Sequence, residues 1–240
     1  MKLSPFKSFC KPTNTLYILS DGQSEYLVKC YIGPDNMQRC SREREMINHW
    51  KKAGFSVPEI YDRVIPDVDE PYLVLSCIEG MPLREYLSTD TFPIDEKLQT
   101  LERLFNEMRE RHKLAVRNDD YWLVHYDPSP TNVICSVGQF WYVDFEAKPK
   151  YPSVMEAAGT ELLTLCKWIV RDLGIEFLDR VMGIVATSYR GQEPLLRLLV
   201  KRTSGRPFQF FHRWRDSKRK LSNPRAATKY DIANAIEKLL

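Results

Sequence analysis

At 240 residues and 28.2 kDa, with 43% hydrophobic and 28% charged residues, the chain can bury a real core, which excludes wholesale disorder. No apolar run approaches the roughly 20 residues of a membrane span. The start, Met1 to Lys7, lacks the apolar centre of a signal peptide, so a soluble, cytoplasmic protein is expected. The net charge of +3 is uneven: the segment 197–229 carries eleven Lys or Arg against one acid, Asp216, leaving −7 on the rest. A basic tail on an acidic body invites an anionic partner, such as a glycolipid or the inner membrane surface. The six cysteines are scattered without a Cys-x-x-Cys pair and read as reduced, mostly buried thiols rather than a zinc site.

In chain order, Leu16–Leu19 and Tyr26–Ile32 are β-rich runs around Asp21-Gly22, which predicts an antiparallel hairpin. Ser4–Phe9 can supply a strand before it. Asn36–Ala53 reads as a helix with Met46, Ile47, Trp50 and Ala53 on one stripe and Gly54 as its stop. Val57-Pro58 forces an extended exit. Tyr72–Ile78 is a further strand, ended by the turn residues Glu79-Gly80-Met81-Pro82, the candidate boundary between lobes. The remainder reads as mainly helical. Helices are predicted over Glu96–Lys113, Glu156–Leu173, Glu176–Tyr189, Pro194–Arg202 and Tyr230–Leu240, with a small hairpin of Val133–Cys135 and Phe140–Val143 turning near Gly138. Strands with one helix, then helices around a hairpin, make an α+β chain in two lobes rather than alternating βαβ.

Within the mainly helical part lies His125-Tyr126-Asp127, four residues, then Asn132; an apolar strand follows, ending in Asp144-Phe145 twelve residues after the Asn. Upstream, Val28-Lys29 sits on a strand and Glu43 on the first helix. Together these residues resemble the protein-kinase-like superfamily, nearest its aminoglycoside phosphotransferase and choline kinase branch. The resemblance spans roughly residues 9 to 175. It implies a bilobal protein-kinase-like fold: an N-terminal nucleotide-binding lobe over 1–76, with a small antiparallel sheet and one helix; a hinge over 77–82; and a larger, mainly helical catalytic and acceptor-binding lobe over 83–240. It also implies ATP and Mg²⁺ as cofactors. By the same resemblance Lys29 contacts the nucleotide phosphates, Glu43 holds the lysine, Thr13 and Asn14 edge the phosphate loop, and Cys77 and Ile78 lie in the hinge beside the nucleotide. Asp127 orients the acceptor hydroxyl and accepts its proton, while Asn132 and Asp144 coordinate Mg²⁺. Glu45 shares the helix with Glu43, but the spacing to Ile47, Trp50 and Pro58 favours Glu43. His125 is expected to hold the loop, and Phe145 to pack beneath the metal-binding segment. His112 is expected to cover the core from a helix face.

The chain departs from that pattern. Its phosphate loop, Lys11–Thr15, has no glycine, which keeps open a pseudokinase acting as a binding module. Glu146 stands where protein kinases have glycine, and no Ala-Pro-Glu motif follows, so a regulated protein kinase is not expected. The acceptor is expected to be a hydroxyl on a small molecule or saccharide. Phe208–Arg215 interleaves aromatic and basic residues, which suits an anionic membrane and adds a similarity to lipopolysaccharide core sugar kinases. A RIO-like kinase acting near nucleic acid is the remaining alternative, and no recognisable RNA-binding motif supports it.

Overall fold

The expected Asp-Gly turn is the pivot of a five-stranded antiparallel sheet in the computed structural model, which describes residues 2–5, 14–66, 68–204 and 227–240. Thr13 and most of the basic segment, including Phe208–Arg215, lie outside the described residues. Strands β1 (Lys2–Pro5), β2 (Asn14–Ser20), β3 (Glu25–Tyr31), β4 (Ile60–Tyr61) and β5 (Tyr72–Ser76) run in the order β1-β2-β3-β5-β4. Asp21 makes the turn: its Oδ1 accepts the N–H groups of Gln23 at 3.1 Å and Ser24 at 2.9 Å, and Gly22 takes a positive φ of 90° that glycine adopts without strain. Strand β1 begins at Lys2, two residues before the expected start at Ser4, and Phe6–Phe9 of the expected strand lie outside the described residues; the two-residue β4 has too short a pattern to be read from sequence.

Strand β3 sits between β2 and β5, with Lys29 opposite Leu16 on one side and Leu73 on the other. Side chains alternate across it. Tyr26, Val28 and Cys30 join Leu19, Val74 and Ile65 in one apolar cluster, so Lys29 and Tyr31 belong to the opposite face. Helix α1 (Asn36–Lys52) buries Glu43, Met46, Ile47 and Trp50, a stripe at positions i, i+3, i+4 and i+7. Glu43 is therefore an acid set on an otherwise apolar stripe, while Glu45 is exposed and accepts from Ser41 Oγ at 3.0 Å.

The chain forms two compact units, Met1–Gly80 with Ile134–Lys148, and Met81–Val133 with Pro149–Leu240. The first contains the sheet, α1 and most of the hairpin of β7 (Val133–Ser136) and β8 (Gln139–Tyr142), whose Tyr142 packs on Trp50 with ring centroids 5.1 Å apart. The second begins with the short β6 (Met81–Pro82) and is mainly helical: α2 (Leu83–Ser88), α3 (Ile94–Asn118), α4 (Val154–Leu173), α5 (Leu178–Ser188), α6 (Glu193–Ser204) and α7 (Lys229–Glu237). Helix α3 buries Leu98, Leu101, Leu104, Phe105 and Met108 as the 3.6-residue period predicts. Helix α4 starts where Ser153 Oγ accepts the Glu156 N–H at 3.2 Å, and α7 starts in a capping box of Thr228 and Asp231. A sheet-bearing unit with one long helix and a mainly helical unit make up a bilobal, protein-kinase-like fold. Among the described residues no helix is long and apolar enough to cross a membrane. None of the five described cysteines forms a disulfide; Cys30 and Cys166 are buried while Cys77 is exposed.

Candidate functional site

In the first unit the β3 lysine meets its acids. Lys29 Nζ donates to Glu43 Oε2 at 2.6 Å and to Asp144 Oδ1 at 2.7 Å, and Tyr31 Oη donates to the same Glu43 oxygen at 2.7 Å. Alternation on β3 puts Lys29 and Tyr31 on one face, and the stripe on α1 aims Glu43 at them. Lys29 is 6% exposed and Glu43 1%. Burial opposes the charge on Lys29, but the carboxylates of Glu43, Asp144 and Glu146 outweigh it and hold the ammonium well above the usual lysine range. Burial pushes Glu43 up, against the pull of Lys29. The lysine is thus a fixed positive charge.

Asp144 has a backbone φ of +69°, the left-handed region that a non-glycine residue enters at some cost. Its neighbours hold it there. Phe145 is buried and lies 4.8 Å from Trp50, centroid to centroid. Glu146 accepts from Asn14 Nδ2 at 3.0 Å and from Arg39 Nη1 at 2.9 Å, and its carbonyl accepts from Arg42 Nη1 at 2.6 Å. Arg39 also donates to Asn14 Oδ1 at 2.9 Å. Carboxylate oxygens of Glu43, Asp144 and Glu146 all lie within 4.8 Å of one another, a group of hard oxygen donors able to coordinate a divalent metal.

Expected residues fall in different places. Asn14 starts β2, and its amide is occupied by Glu146 and Arg39. Cys77 and Ile78 follow the end of β5, Cys77 exposed and Ile78 partly buried. Close by, Gly80 has a φ of +151°, and a Cβ there would stand 2.4 Å from the carbonyl oxygen of Cys135. The glycine of the Glu-Gly turn is therefore required by a close backbone approach.

In the second unit, the loop from Leu123 to Asn132 is tied to buried charges. Asn132 Nδ2 donates to the Asp127 carbonyl at 2.9 Å and to Asp127 Oδ2 at 3.2 Å, and His125 Nδ1 accepts the Asp127 N–H at 3.2 Å. Asp127 is exposed, whereas His125 and Asn132 are buried. Glu161 of α4 lies beneath the loop: its Oε2 accepts the His125 N–H at 3.0 Å. The same carboxylate takes the Arg111 guanidinium at both oxygens, at 2.5 and 3.1 Å, and His112 Nε2 at 3.0 Å; Arg111 also donates to the Leu123 carbonyl at 2.6 Å. Tyr189 Oη bonds His112 Nδ1 at 2.8 Å. Burial alone would raise Glu161, but the Arg111 charge and the bond to His112 outweigh it and hold the carboxyl far below its usual range. Burial lowers His112 despite that neighbour, so its ring is neutral, with Nε2–H donating to Glu161 and Nδ1 accepting from Tyr189.

Sequence reading placed His112 on a core-facing helix face without identifying partners; the structure gives it two. Arg111 and Glu161 went unnoticed because each looks like an ordinary charge in a charged helix. The available signal was their period: Arg111 and His112 continue the stripe of Leu101, Leu104, Phe105 and Met108, and Glu161 lies among Ala157, Ala158, Leu162 and Leu165.

No protein-family model matches the chain, and no curated protein does. Among solved structures, two crystal structures of the Mycobacterium tuberculosis PknI kinase domain are similar to it. One, of a cysteine-to-alanine variant, is 14% identical with a TM-score of 0.47, covering 72% of this chain and 73% of that one. The other is 13% identical with a TM-score of 0.43, covering 72% of each. The matches are distant and partial.

Proposed function

We propose that the protein is an ATP- and Mg²⁺-dependent phosphotransferase acting on a hydroxyl of a small molecule or saccharide. The observation that carries the reading is the buried Lys29, ion-paired at once to Glu43 and Asp144. A permanently charged, rigidly held ammonium suits the α/β-phosphates of a nucleotide, and Glu43 fixes its position. Asp144, left-handed and clamped through Phe145 and Glu146, presents a carboxylate for a metal ion, and the resemblance to kinase-like proteins makes Asn132 the second ligand. The carboxylate cluster of Glu43, Asp144 and Glu146 suits Mg²⁺, being all oxygen and anionic. Such an ion, when bound, neutralises charge on the transferred phosphoryl group. Asp127, the exposed acid whose carboxylate Asn132 orients, accepts the proton of the attacking hydroxyl. Transfer to a saccharide of the lipopolysaccharide core is the narrower form of this reading.

A binding module without turnover is favoured by two observations: Lys11–Thr15 has no glycine, and the Asn14 amide is taken up by Glu146 and Arg39. Thermal melts with and without Mg²⁺-ATP, followed by a nucleotide-consumption screen over sugars, amino alcohols and glycolipid fragments, separate the readings. A transferase shows stabilisation of about 2.7 kcal/mol at 100 times Kd, together with acceptor-dependent ADP release. Absence of both stabilisation and release rejects the transferase and supports the module.

A further inference from the structure

Three cations and one indole gather in the helical unit, next to the loop that carries Asp127. On α4, Lys167, Trp168, Arg171 and Asp172 occupy one face, since 167/171 and 168/172 are each one turn apart. Arg171 lies 4.0 Å from the Trp168 ring centroid, and Lys167 Nζ and Arg84 of α2 each lie 5.3 Å from it. Asp172 holds both arginines: Arg171 at 2.7 and 2.9 Å, and Arg84 Nε at 3.3 Å. From that anchor Arg84 reaches Ser129 Oγ at 3.4 Å, and the Ser129 N–H bonds back to the Asp127 carbonyl at 2.8 Å.

The charge does not balance. One carboxylate, itself only 6% exposed, pairs with the two arginines, and among the described residues no acid is paired with Lys167. Cations repel one another, so setting three around one ring beside a reacting acid is costly unless an anion joins them. Guanidinium forks and an ammonium are the donors that hold phosphate oxygens, and an indole face offers an apolar platform to the C–H face of a sugar or cyclitol.

We infer that Arg84, Lys167, Arg171 and Trp168 form an acceptor subsite for a polyhydroxylated compound that already bears a phosphate group. The inference rests on the transferase reading and narrows its substrate. The existing phosphate binds the cations, the ring stacks on Trp168, and a free hydroxyl is presented to Asp127. A cationic acceptor such as an amino alcohol or aminoglycoside is repelled by the same charges.

The test uses the intact protein and has two parts. Calorimetry without nucleotide compares glucosamine 6-phosphate with glucosamine, and myo-inositol 1-phosphate with myo-inositol. Flotation compares phosphatidylcholine vesicles with and without phosphatidylinositol 4-phosphate, which separates a free phosphosugar from a lipid headgroup. The phosphorylated member of each pair should bind, more weakly as salt rises, while its parent does not. Lys167→Gln, which disturbs no ion pair, should weaken that binding about tenfold, as expected for one lost charge-assisted hydrogen bond. Trp168→Leu should weaken sugar phosphates more than inorganic phosphate. In turnover, Lys167→Gln should raise the acceptor KM rather than lower kcat. Equal binding of parent and phosphate ester, or unchanged affinity in Lys167→Gln with the fold intact by circular dichroism, overturns the subsite. Phosphate-selective binding without any ATP turnover leaves the subsite standing and rejects the transferase reading. Turnover of neutral sugars without phosphate selectivity does the reverse.

Discussion

The carboxylate of Glu161 accepts the backbone N–H of His125 at 3.0 Å, while Arg111 and His112 hold that carboxylate from α3. One buried acid therefore sets the position of the loop bearing Asp127. Removing its charge leaves the Arg111 guanidinium fully buried without its counter-ion, at a cost of about 3–5 kcal/mol. Glu161→Gln should therefore lower the urea midpoint substantially. In the surviving folded fraction it should reduce kcat more than the KM for ATP, because the loop, and not the Lys29 cluster, is disturbed. An unchanged midpoint would show that the network is not stabilising.

The same network dictates how stability follows pH. His112 is held neutral in the folded chain, below its ordinary value of 6.5, so the stability it contributes is complete above 6.5 and is lost as pH falls through its lowered folded value. Glu161 is held below its ordinary 4.5, so its contribution is complete above 4.5 and is lost at more acid pH. Both have the same sign. Denaturant melts should show stability declining from about pH 6.5 downward and more steeply below about 4.5. Glu161→Gln should flatten the steep limb. A profile that rises on acidification contradicts the assignment.

Lys29 and Glu43 should behave as a unit. Lys29→Met strands a buried carboxylate and should cost about 3 kcal/mol or more; Glu43→Leu strands the ammonium, though Asp144 still holds it, and should cost less. The double variant should recover part of the loss, since a buried pair replaced by apolar groups of similar size is often near neutral. A double-mutant cycle by chemical denaturation measures the coupling, and strictly additive costs would argue against a mutual pair.

The long elements were legible because each repeats its period several times. Helix α3 shows its apolar face over about five turns, and β2 and β3 flank an Asp-Gly turn. The two-residue β4 and the six-residue α2 have too few repeats to register. Lys29, Glu43 and Asp144 stood out through the resemblance to kinase-like proteins, and the structure brings these three together. The joining of Arg39, Asn14 and Glu146 was not legible, because they are separated by 25 and 107 residues and nothing local in the sequence links them. Arg84 and Trp168 were missed for the same reason: a surface cation and a helix tryptophan mean little until the fold sets them side by side.

Gly80 tests the turn that follows β5. Its φ of +151° suits glycine, and a Cβ would meet the Cys135 carbonyl at 2.4 Å and Ile134 Cγ2 at 2.8 Å. Gly80→Ala must move backbone and not merely a side chain, so a loss of about 1–3 kcal/mol is expected. Gly138 offers the control: it has a φ of +71° but nothing within 4 Å of a Cβ, so Gly138→Asn, a residue that tolerates the left-handed region, should cost well under about 1 kcal/mol. Equal melting shifts for the two variants would show that the contact at Gly80 is not what requires glycine.

Asp144 separates conformation from charge. Its positive φ is one that asparagine also tolerates, whereas alanine does not. Asp144→Asn should therefore keep the local backbone and the Phe145–Trp50 contact while losing the carboxylate, and Asp144→Ala should lose both. If the carboxylate holds a metal ion, both variants lose the Mg²⁺-dependent part of the ATP-induced thermal shift; both also lose the ion pair to Lys29, and Asp144→Ala loses about 1 kcal/mol more intrinsic stability than Asp144→Asn. The loss of Asp144 also leaves Lys29 with one buried carboxylate partner, Glu43. Metal-free ATP binding should then strengthen slightly, because a competing anion has gone from the lysine. A full Mg²⁺-dependent shift in Asp144→Asn would remove Asp144 from the metal site and leave it a structural partner of Lys29.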